Sequence, residues 1–224
     1  MTLAQLISTF RTLAFDSVAP YLCSDPSVTA WLNEGERRAA VRGRLIFDDS
    51  TTTVCEIPVV TNTHSYALHP ALYELEDRCR LITPGEDEAK SLDLVSRGWL
   101  DKNVRNWRDA TDGDVLYVVQ DDKRLRLVHT PIVNATLRLE GYRLPLVPMV
   151  ASGDQPELAG LHHERLVQWA LHRAFSVPDS ELFDPQRSAD ALAEFTSYFG
   201  PEPDADLRRT TRHDQEHHNV AWFP

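Results

Sequence analysis

The stretch LHHERLVQWALHRAF, residues 161–175, decides how the rest of the chain is read. His163, Leu166, Val167, Ala170, Leu171 and Ala174 recur at helical spacing and give this segment one apolar face. It follows a long region whose period is two, so helical character returns after a block of strands. Downstream, Asp184-Pro185 reads as a helix start: the carboxylate can accept a first-turn N–H, and the proline fills a position that needs no donor. Ala189, Leu192, Phe195 and Phe199 continue that helix, and Gly200-Pro201 closes it. Upstream, Pro145, Pro148, Gly153 and Pro156 mark a loop.

Before that loop the pattern is β. Thr51–Val60 is rich in β-branched residues and carries no helical stripe. Ser65–Leu68, Tyr73–Ile82 and Leu92–Leu94 are further strand candidates. Val115–Val119 and Arg124–His129 flank Gln120-Asp121-Asp122-Lys123, a hairpin turn. Ala135–Arg143 sets Leu137, Leu139 and Tyr142 against Arg138, Glu140 and Arg143, as a half-buried strand would. Short strands between turn signals predict an antiparallel sandwich or barrel, and no βαβ alternation is visible.

The N-terminal segment returns to helices. Thr2 and Gln5 form a capping box, and Leu3, Leu6, Ile7, Phe10, Leu13 and Ala14 follow as one stripe. Asp25-Pro26 opens a second helix with Val28, Trp31, Leu32, Ala39 and Ile46 on one face and Glu34, Glu36, Arg37 and Arg38 turned away. A short loop between the two predicts an antiparallel helical hairpin. The fold class expected is therefore α+β. Residues 1–50 and 146–200 supply the halves of one helical bundle, 51–145 an inserted β-domain, and 201–224 an extended C-terminal arm.

Composition narrows the functions available. The 224 residues carry 23 Lys+Arg against 34 Asp+Glu, a formal charge of −11, which opposes bulk binding to nucleic-acid phosphates. The charge is diffuse; its heaviest stretch, residues 151–198, holds eight carboxylates against three arginines. No apolar run approaches the ~20 residues needed to span a bilayer, and there is no secretory leader pattern, so no membrane role and a cytoplasmic origin are expected. The three cysteines, Cys23, Cys55 and Cys79, are far apart and suggest neither a disulfide framework nor a zinc knuckle.

Catalytic signals are sparse. His213-Asp214-Gln215-Glu216-His217 matches the H-x-x-E-H spacing in which two histidines bind Zn²⁺ and the glutamate acts as general base. The surrounding segment has no apolar stripe, whereas a metal site needs rigid support. His162-His163-Glu164 begins like H-E-x-x-H, but Val167 occupies the place of the second histidine, so a helix start with partly exposed imidazoles is expected. Nucleotide-binding glycine motifs and the nucleophile elbow are missing, and no catalytic residue or cofactor is assigned. A zinc hydrolase using His213, Glu216 and His217 is one alternative. A carbohydrate- or receptor-binding module with exposed Trp99 and Trp107 is the other. Val220, Trp222 and Phe223 differ from both: large apolar side chains beyond a polar stretch suit docking into a partner's groove.

Several of these segments together resemble a known family. The pattern Phe15-Asp16, Pro20-Tyr21-Leu22-Cys23-Ser24-Asp25 and Trp31-Leu32-Asn33-Glu34-Gly35-Glu36 is similar to the start of head-to-tail adaptor proteins of tailed bacteriophages. Cys23 stands where that family frequently has Trp, and Gly35 where it frequently has Ala. Gly141-Tyr142-Arg143-Leu144-Pro145 resembles the adaptors' strand exit. His162-His163-Glu164, Ala170–Phe175, Asp179, Asp184-Pro185 and Phe195 to Phe199-Gly200 follow in the family's order. The resemblance implies a structural virion protein at the head–tail junction, not an enzyme, assembled in the host cytoplasm. It implies a homo-oligomeric ring, usually of twelve copies, beneath the portal protein, with a tail tube or nozzle protein below. DNA would pass through the ring without sequence-specific binding. The C-terminal segment, with Val220, Trp222 and Phe223, would reach onto the portal.

Overall fold

The computed structural model describes residues 1–109, 111, 113–178 and 180–203. Helices and strands mix in an α+β chain that divides into two compact units, Met1–Ile46 with Arg143–Glu202, and Phe47–Tyr142.

In the first unit, α1 (Leu3–Ala14), α2 (Asp25–Gly43), α5 (His163–Phe175) and α6 (Pro185–Phe199) share one core. The expected face of α5 is buried throughout, and α6, α2 and α1 all pack on this helix. Leu6, Phe10, Leu32, Leu166 and Phe195 are fully buried, each worth roughly 1.5–3 kcal/mol relative to exposure. The Thr2–Gln5 capping box forms in both directions. Asp184 caps α6 through Gln186 N and Arg187 N. Some start-and-face expectations change. Ser24, not Asp25, caps α2 by accepting Ser27 N, which frees the Asp25 carboxylate for Arg11. Ala189 is exposed; Ser188, Ala191, Phe195 and Phe199 form the buried side of α6.

The second unit is a nearly closed, barrel-like sheet of seven strands in the order β2-β9-β5-β6-β7-β8-β3, beside a smaller sheet, β1-β10-β4. The strands are β1 (Phe47–Asp48), β2 (Glu56–Val59), β3 (Ser65–Ala67), β4 (Leu72–Leu75) and β5 (Arg78–Ile82). They continue with β6 (Lys90–Leu94), β7 (Tyr117–Gln120), β8 (Arg124–Val128), β9 (Ala135–Arg138) and β10 (Gly141–Arg143). Edge strands β2 and β3 are consecutive in the chain, and the Tyr66 hydroxyl spans their connection, 2.7 Å from Thr63 O and accepting Val60 N at 3.2 Å. Cys79, Leu92, Val118, Leu125, Leu127 and Leu137 fill the interior.

This sheet departs from the antiparallel expectation at one point. β6 and β7 run parallel, Asp93 opposite Tyr117, and the crossover contains an unanticipated helix, α4 (Arg97–Asn103), capped by Ser96. Leu100 of α4 packs with Trp107, Val119 and Val128, so β7 is covered on both faces. That explains its unbroken Tyr117–Val119 apolar run, which period-two reasoning does not account for. Thr52–Cys55, expected as strand, is a helical turn, α3. The Asp48 carboxylate accepts Ser50 N and Thr51 N, and Thr51 O accepts Val54 N and Cys55 N, so local hydrogen bonds overrule β propensity. The long candidates Tyr73–Ile82 and Ala135–Arg143 each split in two, and Tyr142 falls out of phase with buried Leu137 and Leu139.

Candidate functional site

The helical unit has two differently built ends. α1 and α5 start together: α1 takes Leu3 N to Asp154 O and Ala4 N to Ser152 O, while His163 at the start of α5 bonds Leu158 O. They also finish together, because Arg187 donates to Leu13 O and lies over the Phe175 ring at 4.0 Å. α6 runs back along α5, its Tyr198 reaching His162.

At the finishing end, the α1–α2 loop is wrapped around a buried ionic clamp. α1 stops at Phe15 in the left-handed region (φ 59), which turns the chain so that Asp16 N bonds Arg11 O. The Arg11 guanidinium donates to Asp16 Oδ2 at 2.9 Å and Cys23 O at 3.1 Å, pairs with Asp25, and lies 3.5 Å from the Tyr21 ring centre. Asp16 also accepts Leu22 N at 2.8 Å and Cys23 N at 3.1 Å. Every polar group of the clamp is thus satisfied, which a buried charge pair requires. Burial and the Asp16 carboxylate push the Cys23 thiol up, with Arg11 opposing them, which disfavours its thiolate. What this loop presents outward includes large apolar side chains: Phe15 is 84% and Val18 79% exposed, with Leu22 also open, and Leu13 of α1 and Val177 and Phe183 of the α5–α6 connection are open too.

At the starting end, two side chains of α2 hold the 145–158 loop. Asn33 donates to Met149 O and accepts Met149 N, both at 2.9 Å, imitating a strand pair. Glu36, expected on the solvent side, is 1% exposed and accepts Glu157 N at 2.6 Å. This corrects the face assigned to it: helical periodicity scores a carboxylate as outward and cannot register the backbone donors that come to meet it. Between them, Gly35 lies against α5, where an added Cβ would stand 2.9 Å from Trp169 Cβ. Asp154 accepts Val150 N and Ala151 N at 2.7 Å each, and these bonds hold its carboxyl below the usual range. An open cleft lined by Leu146, Val147, Pro148, Asp154, Gln155 and Glu157 results, with Val147 76% and Val150 78% exposed.

Of the residues singled out in the sequence, Val220, Trp222 and Phe223, and the His213, Glu216 and His217 triad, lie outside the described residues. Among the described residues no cluster of His, Cys, Asp and Glu could hold a metal ion. His163 is buried, as its place on the apolar face of α5 predicts and against the partly exposed imidazole expected at the helix start, with its ring nitrogens on the Met1 amine and the Leu158 carbonyl. The proposed tryptophan binding pair also changes. Trp107 is 2% exposed and donates Nε1–H to Asp101 at 2.8 Å, while Trp99 packs on Tyr117. Trp107 is a core member of the cluster under α4 and the partly buried Trp99 packs against it, so the two do not form an exposed pair. Exposed apolar residues of the second unit include instead Val60, Ile132 and Val133, on loops joined by Asn62 N to Pro131 O and Thr61 to Asn134. Sequence reasoning missed the clamp and the loop pins; Arg11 interrupting an apolar stripe was the one available signal.

Exposed apolar side chains mounted on hydrogen-bonded, rigid loops belong to a protein that meets other macromolecules. The chain belongs to the SU10 adaptor protein family, whose sequence model matches residues 1–216. It is a structural adaptor of bacteriophage type. No curated protein matches it.

Proposed function

We propose that this chain is a head-to-tail adaptor that forms a ring, usually of twelve copies, beneath the portal and carries the tail tube or nozzle protein. The family match along residues 1–216 carries this reading. The ring sits at the head–tail junction of the virion after assembly in the host cytoplasm, and DNA passes through it without sequence-specific contact. Among the described residues no helix is long and apolar enough to cross a membrane. The acidic 151–198 stretch would leave a bore that does not attract phosphates; a strongly positive bore in the assembled ring would remove that role.

Val220, Trp222 and Phe223 are the portal anchors in this reading. Their large apolar area would be wasted in water and is the kind that dominates an interface when it enters a groove. The β unit, with Val60, Ile132 and Val133 open, offers the platform for a tail component. Co-sedimentation with purified portal rings tests both parts. The full chain is expected to bind, and deletion of residues 215–224 to abolish binding. Undiminished binding by the truncated chain removes the anchor assignment, and absence of binding by the full chain removes the adaptor assignment.

A further inference from the structure

The two sheets described for the second unit have four edges, and the chain closes three of them. Along β2 and its continuation no outward donor is left: Glu56 N bonds Thr52 O, Pro58 has no N–H, and Val60 N bonds the Tyr66 hydroxyl. Beside β4 the Gln120 side chain acts as a neighbouring strand, accepting Leu75 N at 3.3 Å and donating to Tyr73 O at 3.2 Å. β1 is only two residues long. Short edges, prolines and covering side chains are the means by which a sheet avoids pairing with another chain.

The edge at β3 has no such device. Its ladder with β8 runs from His64 to Leu68, because His64 O accepts Leu127 N at 2.8 Å and Leu68 N donates to Lys123 O at 3.0 Å. Antiparallel bonds fall on alternate residues, so Tyr66 also faces β8, while Ser65 and Ala67 direct their N–H and C=O groups away from it. Among the described residues nothing takes these groups, and β3 pairs with no strand but β8. β2, stripped of outward donors, cannot close the sheet onto β3 with a ladder of its own. Arg124 of β8 leans over the open strand, its Nε donating to Ser65 Oγ at 2.9 Å. No described carboxylate pairs with Arg124, Asp122 of the adjacent turn included. Asp121 and Asp101 are taken by Arg97 and Arg108.

We propose that β3 is a strand-addition site: an extended segment of a partner protein pairs with its outer edge through Ser65 and Ala67, and a carboxylate on that segment meets Arg124. The main-chain groups select the partner's conformation, since residues two apart repeat at about 6.8 Å, the spacing of an extended chain. The guanidinium selects its charge. A side chain opposite Ser65 stands on the same face as Arg124, where an acidic group gains a partner and a lysine is repelled. The residue opposite Tyr66 turns toward the core of the barrel, so acidic and apolar residues in alternation fit best. This goes beyond the adaptor reading and needs neither a ring nor a portal.

A blocked peptide of alternating valine and glutamate is the probe, with the valine–lysine peptide as control, and amide hydrogen exchange of the full chain is the readout. In the free protein the Ser65 and Ala67 amides are expected to exchange at least about tenfold faster than those of Tyr66 and Leu68, and the glutamate peptide to slow them at least about tenfold. The lysine peptide is expected to bind at least about tenfold more weakly, and Arg124→Glu to reverse that order. Ala67→Pro removes one outward N–H without touching the β8 ladder, and is expected to abolish binding while Tyr66 and Leu68 stay protected. Arg124→Glu keeps the test decisive should the proline disturb the strand. Failure of the glutamate peptide to protect Ser65 and Ala67 at millimolar concentration, indifference of binding to Ala67→Pro, or equal binding of the two peptides would each overturn the proposal. So would protection that grows with protein concentration alone, which would assign the edge to a second copy. None of these outcomes alters co-sedimentation with portal rings, so the adaptor reading stands or falls separately.

Discussion

Glu36 is held at the centre of α2 by backbone N–H groups of Glu157 and Leu158. Burial pushes its carboxyl up, the two hydrogen bonds and Arg37 oppose that, and the nearby Glu157 carboxylate adds to it. The folded chain therefore keeps this proton to a higher pH than the unfolded chain does. Between the unfolded value near 4.5 and the higher folded one, the native state binds more protons, so this group's contribution to stability falls as pH rises through that window. Glu36→Gln keeps an oxygen for the two amides and removes the titration. Urea unfolding of both proteins at pH 5 and pH 7 is expected to show the variant gaining on wild type toward pH 7; parallel pH profiles would refute the assignment. Neighbouring Gly35 shows why residue identity matters here. Alanine would improve helix propensity by about 1 kcal/mol, but a Cβ only 2.9 Å from the Trp169 Cβ calls for a shift of α2 against α5. Of this LNEGE motif the sequence showed the order of residues; the burial of Glu36 and the close approach at Gly35 depend on chain segments more than a hundred residues away.

Among the elements, the α1–α2 loop is the most tightly specified by charge. Exposed pairs such as Arg97 with Asp121 contribute little, because water competes for both partners. The Arg11–Asp16 pair is different, with side chains 9% and 1% exposed. Asp16→Ala leaves the guanidinium without a main partner and Leu22 N and Cys23 N without an acceptor, at an expected loss of about 3 kcal/mol. Thermal unfolding measures the loss, and hydrogen exchange should show the Leu22 and Cys23 amides opening first. A shift of less than about 0.5 kcal/mol would mean that the loop is held by something else. Several element starts were readable where the chemistry is local: Thr2–Gln5, Asp184-Pro185 and the turn between β7 and β8 stand where the side chains indicate. Two elements were not, one organised by a neighbouring carboxylate and one by a remote strand. α3 forms in a β-branched run because the Asp48 carboxylate organises the turn, and α4 was hidden in a stretch of mixed polarity because it covers a strand face.

Across the whole molecule, the two larger of three hydrophobic clusters lie one around Leu6 and Leu166 and one around Leu92 and Leu137. Leu6→Ala and Leu137→Ala each remove a fully buried side chain and are expected to cost about 2–5 kcal/mol. Calorimetry should show them acting on different transitions; equal shifts of one shared transition would show that the units melt together. By itself the sequence determined the α+β class, most helix starts, the return of helices after strands and the order of adaptor-like segments, because caps, turns and hydrophobic period are written within a few neighbouring residues. Only the tertiary structure decided that β6 and β7 pair in parallel, that Asp16 and Glu36 are buried, that Trp107 is a core residue, and that exposed apolar side chains gather at two ends of the helical unit. Those outcomes depend on which distant backbone donors, carboxylates and helices arrive at a given side chain, and the pattern of residues around it does not contain that information.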